Sequence, residues 1–144
     1  MKIAVDAMGG DHAPAVIVQG CLDAVAELKD VTLVLLGRQS DIRACMNGEN
    51  PKNIEIVNTP EVILNDDKPL MAIRRKRNSS LARALIMLGE GEADAVVTAG
   101  NTGAFMAGAS LLTGRIAGIS KPALAPIFPT NDGRGVIALT EFIF

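Results

Sequence analysis

Strand-like and helix-like segments alternate from the first residues of this 144-residue sequence, which predicts an α/β fold: a mostly parallel sheet with helices on both faces. Three observations carry that prediction. Val31–Gly37 (VTLVLLG) is an unbroken apolar run, as expected of a parallel strand covered on both sides. The segments are joined by short connections, which suit right-handed crossovers. Two glycine-rich turns, Ala7–Pro14 (AMGGDHAP) and Ala99–Ala104 (AGNTGA), each follow an apolar strand pattern, and ligands of parallel sheets bind beyond the carboxyl ends of the strands.

Each element has its own signal. Lys2–Asp6 (KIAVD) is a short strand. Pro14 suits a first helical position, and Val16, Ile17, Leu22, Val25 and Leu28 then recur at roughly helical spacing. After the Val31–Gly37 strand comes a short helix around Asp41–Met46 and a loop rich in Asn, Gly and Pro. Asn53–Asn58 (NIEIVN) alternates apolar and polar residues and reads as a more peripheral strand. A helical segment begins near Leu70, restarts at Asn78–Ser79 and runs to Leu88. Asp94–Ala99 (DAVVTA) is the next strand, the Gly-Asn-Thr-Gly helix follows it, and Pro122–Phe128 (PALAPIF) is a further strand. Pro129–Gly135 (PTNDGRG) reads as a hairpin turn, after which Val136–Phe144 offers no helix to complete another unit.

Composition narrows the function classes. The length suits one domain, and 49% hydrophobic residues with a net charge of −2 predict a soluble globular protein. Without Trp or Tyr there is little to stack on bases, and the charge does not suit nucleic acid. Cys21 and Cys45 stand in no paired or metal-ligand spacing and read as reduced residues of a cytosolic protein; no charged-then-apolar leader opens the sequence. Ala95–Gly114 carries no charge and is just long enough to cross a bilayer, but Gly100, Asn101, Thr102 and Gly103 interrupt it centrally. It is expected instead to be the most buried segment of the core.

The chemistry-bearing candidates are few. A helix starting near Thr102 leaves its first amides without intrahelical partners, and its dipole favours an anion there. Gly100 and Gly103 let an oxygen approach bare backbone, while Asn101 and Thr102 add side-chain donors. The same residues suit an ordinary N-cap with glycines kept for close packing, since Gly103, Ala107, Ser110 and Gly114 form a small-residue stripe. In the first turn Gly9 and Gly10 permit unusual backbone angles, and Asp6, Asp11 and His12 bring ionisable groups to it. His12, the only histidine, suits proton transfer, phosphate pairing or plain local hydrogen bonding. Arg74–Leu81 (RRKRNSSL) sets four cations before two serines; it reads as a solvated basic turn or as a surface for an acidic partner, with Asn78 or Ser79 capping a new helix. No Gly-x-Gly-x-x-Gly, Gly-Lys-Ser/Thr, nucleophile elbow or metal-ligand spacing is present, which argues against a nucleotide-dependent transferase or dehydrogenase. Glu61, Asp66 and Asp67 lie in a polar loop where solvated carboxylates are expected.

Taken in order, KIAVDAMGGDHAP, AIRRKRNSSL, AVVTAGNTGAFMAG and GRIAGISKPALAPIFPT resemble the bacterial phosphate acyltransferases of phospholipid synthesis, over nearly everything from Lys2 to about Gly135. The resemblance implies a three-layer α/β/α sandwich like that of phosphate acetyltransferases. It implies transfer of a fatty acyl group from acyl carrier protein to inorganic phosphate, giving an acyl phosphate for a membrane glycerol-3-phosphate acyltransferase. It further implies no metal or organic cofactor, a homodimer, and a cytoplasmic location with peripheral membrane contact. Carried over to these positions, Gly100, Asn101, Thr102 and Gly103 become the phosphate cradle, with Ser79 and Ser80 as donors and Arg75 or Lys76 for charge. Asp6, Gly9, Gly10, Asp11 and His12 line the same cleft, with His12, Asp6 and Asn101 as catalytic candidates. The basic turn would meet the acidic carrier protein. Family members continue past the hairpin into a large second half, whereas here VIALTEFIF follows, so residues 1–144 are expected to be one α/β domain, the N-terminal part of a longer fold with a divergent end from about 136. A non-catalytic remnant that binds phosphate or acyl carrier protein is the competing expectation.

Overall fold

The computed structural model describes residues 1–119, 123–125, 127–131, 135–137 and 140–141. Contacts divide the chain into two compact units, Met1–Gly114 and Arg115–Phe144.

The first unit runs β1 (Lys2–Asp6), α1 (Ala15–Glu27), β2 (Thr32–Gly37), α2 (Gln39–Cys45), β3 (Ile54–Asn58), α3 (Pro69–Arg75), α4 (Ser80–Gly89), β4 (Ala95–Val97) and α5 (Thr102–Gly108), which continues into a π-helical turn at Ala109–Thr113. The four strands form a parallel sheet in the order β3-β2-β1-β4. Alternate residues of each central strand face opposite ways, so β1 and β2 feed two cores. Val5, Leu33 and Leu35 pack with α1 and α2 through Val18, Leu22, Val25 and Ile42. On the other side Ala4, Val34 and Leu36 pack with α4 through Ala84 and Met87. Ile73, Leu81, Leu85 and Ala104 then join α3, α4 and α5. This is the three-layer α/β/α arrangement.

Local patterns explain the elements. The buried stripe of α1 is Val18, Cys21, Leu22 and Val25, one face at i, i+3, i+4 and i+7, whereas Val16 and Leu28 are exposed. Burial pushes the Cys21 thiol up to about 11, and both cysteines are free. Lys76 ends α3, and Ser79 opens α4 by accepting the Ala82 amide at 3.3 Å.

One expectation is corrected. Ala95–Gly114 is not the most buried segment: Val97 is 53% exposed and Leu111 49%, while Leu33–Leu36 of β2 lie at 5% or less. Among the described residues β4 pairs only with β1, so it sits at the sheet's edge. No helix among the described residues is long and apolar enough to cross a membrane.

In the second unit the single strand expected over Pro122–Phe128 is two, β5 (Ala123–Leu124) and β6 (Ile127–Pro129). Both pair antiparallel, β5 with β8 (Thr140–Glu141) and β6 with β7 (Gly135–Ile137). Pro129 faces Gly135 across the expected hairpin, whose residues 132–134 lie outside the described residues, as do Pro122, Pro126 and 142–144.

Candidate functional site at the β1–β4 switch point

The order β3-β2-β1-β4 makes β1 the switch point: the chain leaves it towards β2 on one side and returns to its other side as β4. Splayed connections at such a point open a crevice beyond the strand ends, where ligands of this fold class bind. Both glycine-rich turns emerge there.

Asp6, the last residue of β1, is 3% exposed and fully engaged. One carboxylate oxygen accepts the Met8 amide at 3.3 Å, and the other accepts the Thr98 hydroxyl at 2.8 Å. Thr98 Oγ1 in turn accepts the Gly100 amide at 3.0 Å. The two turns touch at this chain of bonds. A Cβ on Gly9 would lie 2.5 Å from Asp6 Oδ2 and 2.9 Å from both Gly100 N and Thr98 Oγ1, and one on Gly100 would lie 3.1 Å from Gly9 Cα. Gly10 adds a φ of +106°, a conformation L side chains rarely adopt.

The polar loop around Leu64–Asp67, for which the sequence analysis predicts no part in a site, forms a third wall. Asn101 caps α5, its Oδ1 accepting the Ala104 amide at 2.9 Å, while its Nδ2 faces the carbonyls of Leu64, Asn65 and Asp67 at 3.1, 3.2 and 3.2 Å. Asn65 Nδ2 donates to Asp11 at 2.9 Å, so the same loop reaches the first glycine turn. Asp67 anchors it from behind: its carboxylate accepts from the Lys76 ammonium and the Leu64 amide, and these bonds, Lys76 first, hold its pKa below the usual range. Lys76 also donates to the Val62 carbonyl at 3.0 Å, and Glu61 accepts the Asn78 amide at 2.9 Å. Glu61 and Asp67, expected as solvated carboxylates, are therefore structural anchors.

The structure brings Asp6, Gly9, Gly10, Gly100 and Asn101 together, with Asp11 joined through Asn65. Thr102 and Gly103 form the first turn of α5. The first intrahelical bond runs from Phe105 to the Asn101 carbonyl at 2.9 Å and Asn101 Oδ1 serves Ala104, so the amides of Thr102 and Gly103 have no acceptor among the described residues. Gly103 also meets the close-packing reading, since a Cβ there would lie 2.8 Å from Pro69 Cγ. His12 is exposed, with no side-chain hydrogen bond among the described residues. Ser79 and Ser80 are buried; the Ser79 hydroxyl caps α4 and donates to the Lys76 carbonyl at 2.7 Å. Arg74 and Arg75 end α3, where cations complement the helix dipole, and with Arg77 they are exposed; of the four cations only Lys76 is paired among the described residues.

Sequence reasoning missed Thr98 and Asn65, and it gave Asp67 no role beyond a solvated carboxylate. Only Thr98 left a signal, a hydroxyl at the end of an apolar strand. A cleft of about 340 Å³ opens beside it, lined by Val96, Val97, Thr98, Gly100, Thr102 and Phe105. Of the two residues with free amides, Thr102 lines this cleft, where its amide and hydroxyl can bind a small anion beside an apolar wall. Among the described residues no group of three His, Cys, Asp or Glu side chains is placed to hold a metal ion.

Residues 1–140 match the model of a family described as fatty acid synthesis protein. The chain is 49% identical over 139 residues to a phosphate acyltransferase of Geobacillus thermodenitrificans, 50% over 139 to one of Brevibacillus brevis and 47% over 139 to one of Listeria monocytogenes. Each match covers 96% of this chain and 41–42% of the relative, so the chain spans about two-fifths of the length of the curated relatives it matches. With the family model matched over residues 1–140 and this agreement along almost the whole chain, the chain belongs to the fatty acid synthesis protein family, in which it is similar to phosphate acyltransferases.

Proposed function

We propose that this chain forms the phosphate-holding part of an acyltransferase that moves a fatty acyl group from acyl carrier protein to inorganic phosphate. The observation that carries the reading is the pair of free amides at Thr102 and Gly103, set beside glycine turns at the switch point. In this reaction phosphate is itself the nucleophile. A phosphate oxygen attacks the thioester carbonyl, the new C–O bond forms, the C–S bond breaks, and the departing thiolate takes up a proton. The protein's task is to hold the anion, orient it and stabilise the oxyanion, which backbone amides and nearby cations do without a covalent nucleophile.

Gly100, Asn101, Thr102 and Gly103 are our cradle. Its free donors are the Thr102 and Gly103 amides and the Thr102 hydroxyl, because the Gly100 amide is bonded to Thr98 and the Asn101 side chain holds the neighbouring loop. His12, exposed after the first glycine turn, is our candidate proton donor to the leaving thiolate, with Asp6, Gly9, Gly10 and Asp11 shaping the cleft. Lys76, Ser79 and Ser80 support it through the α3–α4 turn, and Arg75 adds positive potential from α3. We extend the reading to a cytoplasmic homodimer touching the membrane peripherally, its product passing to a membrane glycerol-3-phosphate acyltransferase.

A second reading is binding of phosphate or carrier without turnover, for which the unbonded Thr102 and Gly103 amides would suffice. One experiment separates them. The chain is mixed with long-chain acyl carrier protein and phosphate, hydroxylamine traps acyl phosphate, and phosphorus NMR follows phosphate. Phosphate-dependent hydroxamate supports catalysis; saturable phosphate binding without hydroxamate supports the second reading. Absence of both refutes the site.

A further inference from the structure

We infer that Thr98 is a positioning residue that sets the turn before α5 and so decides which amides face the crevice; the phosphate part of this inference rests on the function proposed above. An ionised carboxylate only accepts, so the single proton of the Thr98 hydroxyl points to Asp6 Oδ2, 2.8 Å away. That leaves the oxygen's lone pairs for the Gly100 amide at 3.0 Å, an i to i+2 bond that turns the backbone locally. The direction is unambiguous: Gly100 N–H to Thr98, Thr98 O–H to Asp6.

The same peptide is held from its other side. In a trans peptide N–H and C=O point opposite ways. With the Gly100 amide on Thr98, the Ala99 carbonyl turns towards the first glycine turn and lies 3.1 Å from where a Cβ on Gly10 would stand. Gly9 leaves room for the contact, since its Cβ would fall 2.9 Å from Thr98 Oγ1. Thus Thr98 and the bare backbone of Gly9 and Gly10 fix one peptide plane between them. Gly100 is thereby removed as an anion donor, and the chain enters α5 with the Thr102 and Gly103 amides as its free donors.

The alternative is that Thr98 merely fills space at the strand end. Thr98→Val keeps the shape and removes the hydroxyl, Thr98→Ser keeps the hydroxyl, and α5 retains its own cap from Asn101 in both. Two readouts on the full chain test the inference: hydrogen exchange at individual amides, and affinity for inorganic phosphate. In the wild type the Gly100 amide exchanges more slowly than those of Thr102 and Gly103; the reverse order overturns the inference without any variant. Thr98→Val speeds Gly100 exchange and weakens phosphate binding about tenfold, the size of one lost hydrogen bond, while Thr98→Ser stays within about twofold. Unchanged Gly100 protection in Thr98→Val overturns the inference, as does wild-type phosphate affinity in that variant. If the wild type takes up no phosphate, the phosphate reading falls, and loss of Gly100 protection in Thr98→Val alone still supports the turn-setting role.

Discussion

Asn101 offers the sharpest separation of two roles in one side chain. Its Oδ1 caps α5 through Ala104 at 2.9 Å, and its Nδ2 faces three loop carbonyls at 3.1–3.2 Å. Asp and Asn are nearly equal as N-caps, so Asn101→Asp is close to neutral if capping is the only role. The clamp predicts otherwise. The carboxylate keeps the cap but removes both amide protons and sets a negative oxygen against those carbonyls. Two lost hydrogen bonds at roughly 1 kcal/mol each give a loss of about 2 kcal/mol, with repulsion adding to it where water does not reach. Asn101→Ala loses the cap as well, about 1 kcal/mol more from capping, but introduces no charge, giving about 3 kcal/mol. The two variants should therefore lie close together, although a capping scale sets them far apart. Equilibrium urea unfolding at neutral pH, read from midpoints at constant slope, measures this. If Asn101→Asp falls within about 0.5 kcal/mol of wild type, the loop is not clamped and the third wall of the crevice is not held as described.

Two further outcomes rest on local geometry. Gly9→Ala meets Asp6 Oδ2, Gly100 N and Thr98 Oγ1, none the tip of a long flexible chain, and is expected to destabilise by about 1–3 kcal/mol, whereas Gly20→Ala on α1 has nothing within 4 Å and should stabilise by about 0.5–1 kcal/mol; thermal unfolding of the two variants checks the contrast. Because Asp67 has its pKa lowered in the fold, chiefly by Lys76, its contribution is fully present above the unfolded carboxyl value of about 3.9 and is lost as pH falls through the lower folded value; the urea midpoints of wild type and Asp67→Asn should differ at pH 7 and draw together as pH is lowered from about 3.9, and a gap that stays constant on acidification refutes the assignment.

What the sequence disclosed and what it hid divide along a physical line. Periodicity is local, so β1 to β4 and α1 to α5 fall where the patterns put them, and the restart at Asn78–Ser79 resolves into Ser79 as the cap of α4. Strand position is not local. The charge-free run over Ala95–Gly114 looked like the deepest part of the core, yet β4 lies at the sheet edge with Val97 half exposed, because hydropathy records a residue's character and not how many neighbours it will meet. The candidate site divides the same way. Glycines at two strand ends were legible as turns needing bare backbone. The Asp6–Thr98 bond spans 92 positions and exists only because β1 and β4 pair in register, Val5 beside Val97. Likewise four successive cations look alike in sequence, and only the approach of the Leu64–Asp67 loop distinguishes Lys76 from its neighbours.

A buried carboxylate beside a proposed anion site looks like a contradiction, and its resolution explains why position 6 is an acid. Asp6 directs one oxygen to the Met8 amide and the other to the Thr98 hydroxyl, so both bonds draw its charge into the junction of the two turns. A neutral amide at that position could present either its oxygen or its NH2 to Thr98, leaving the hydroxyl free to point either way. An acceptor that cannot donate makes the Thr98 proton point inward, which leaves the oxygen's lone pairs to the Gly100 amide and turns that amide away from the crevice. The negative charge thus acts on the backbone rather than on the ligand: it orients a hydroxyl, the hydroxyl orients a peptide, and the peptide delivers the chain into α5 with the Thr102 and Gly103 amides unbonded. An anion site assembled this way draws its donors from the backbone, while the Lys76 ammonium is bound to Asp67.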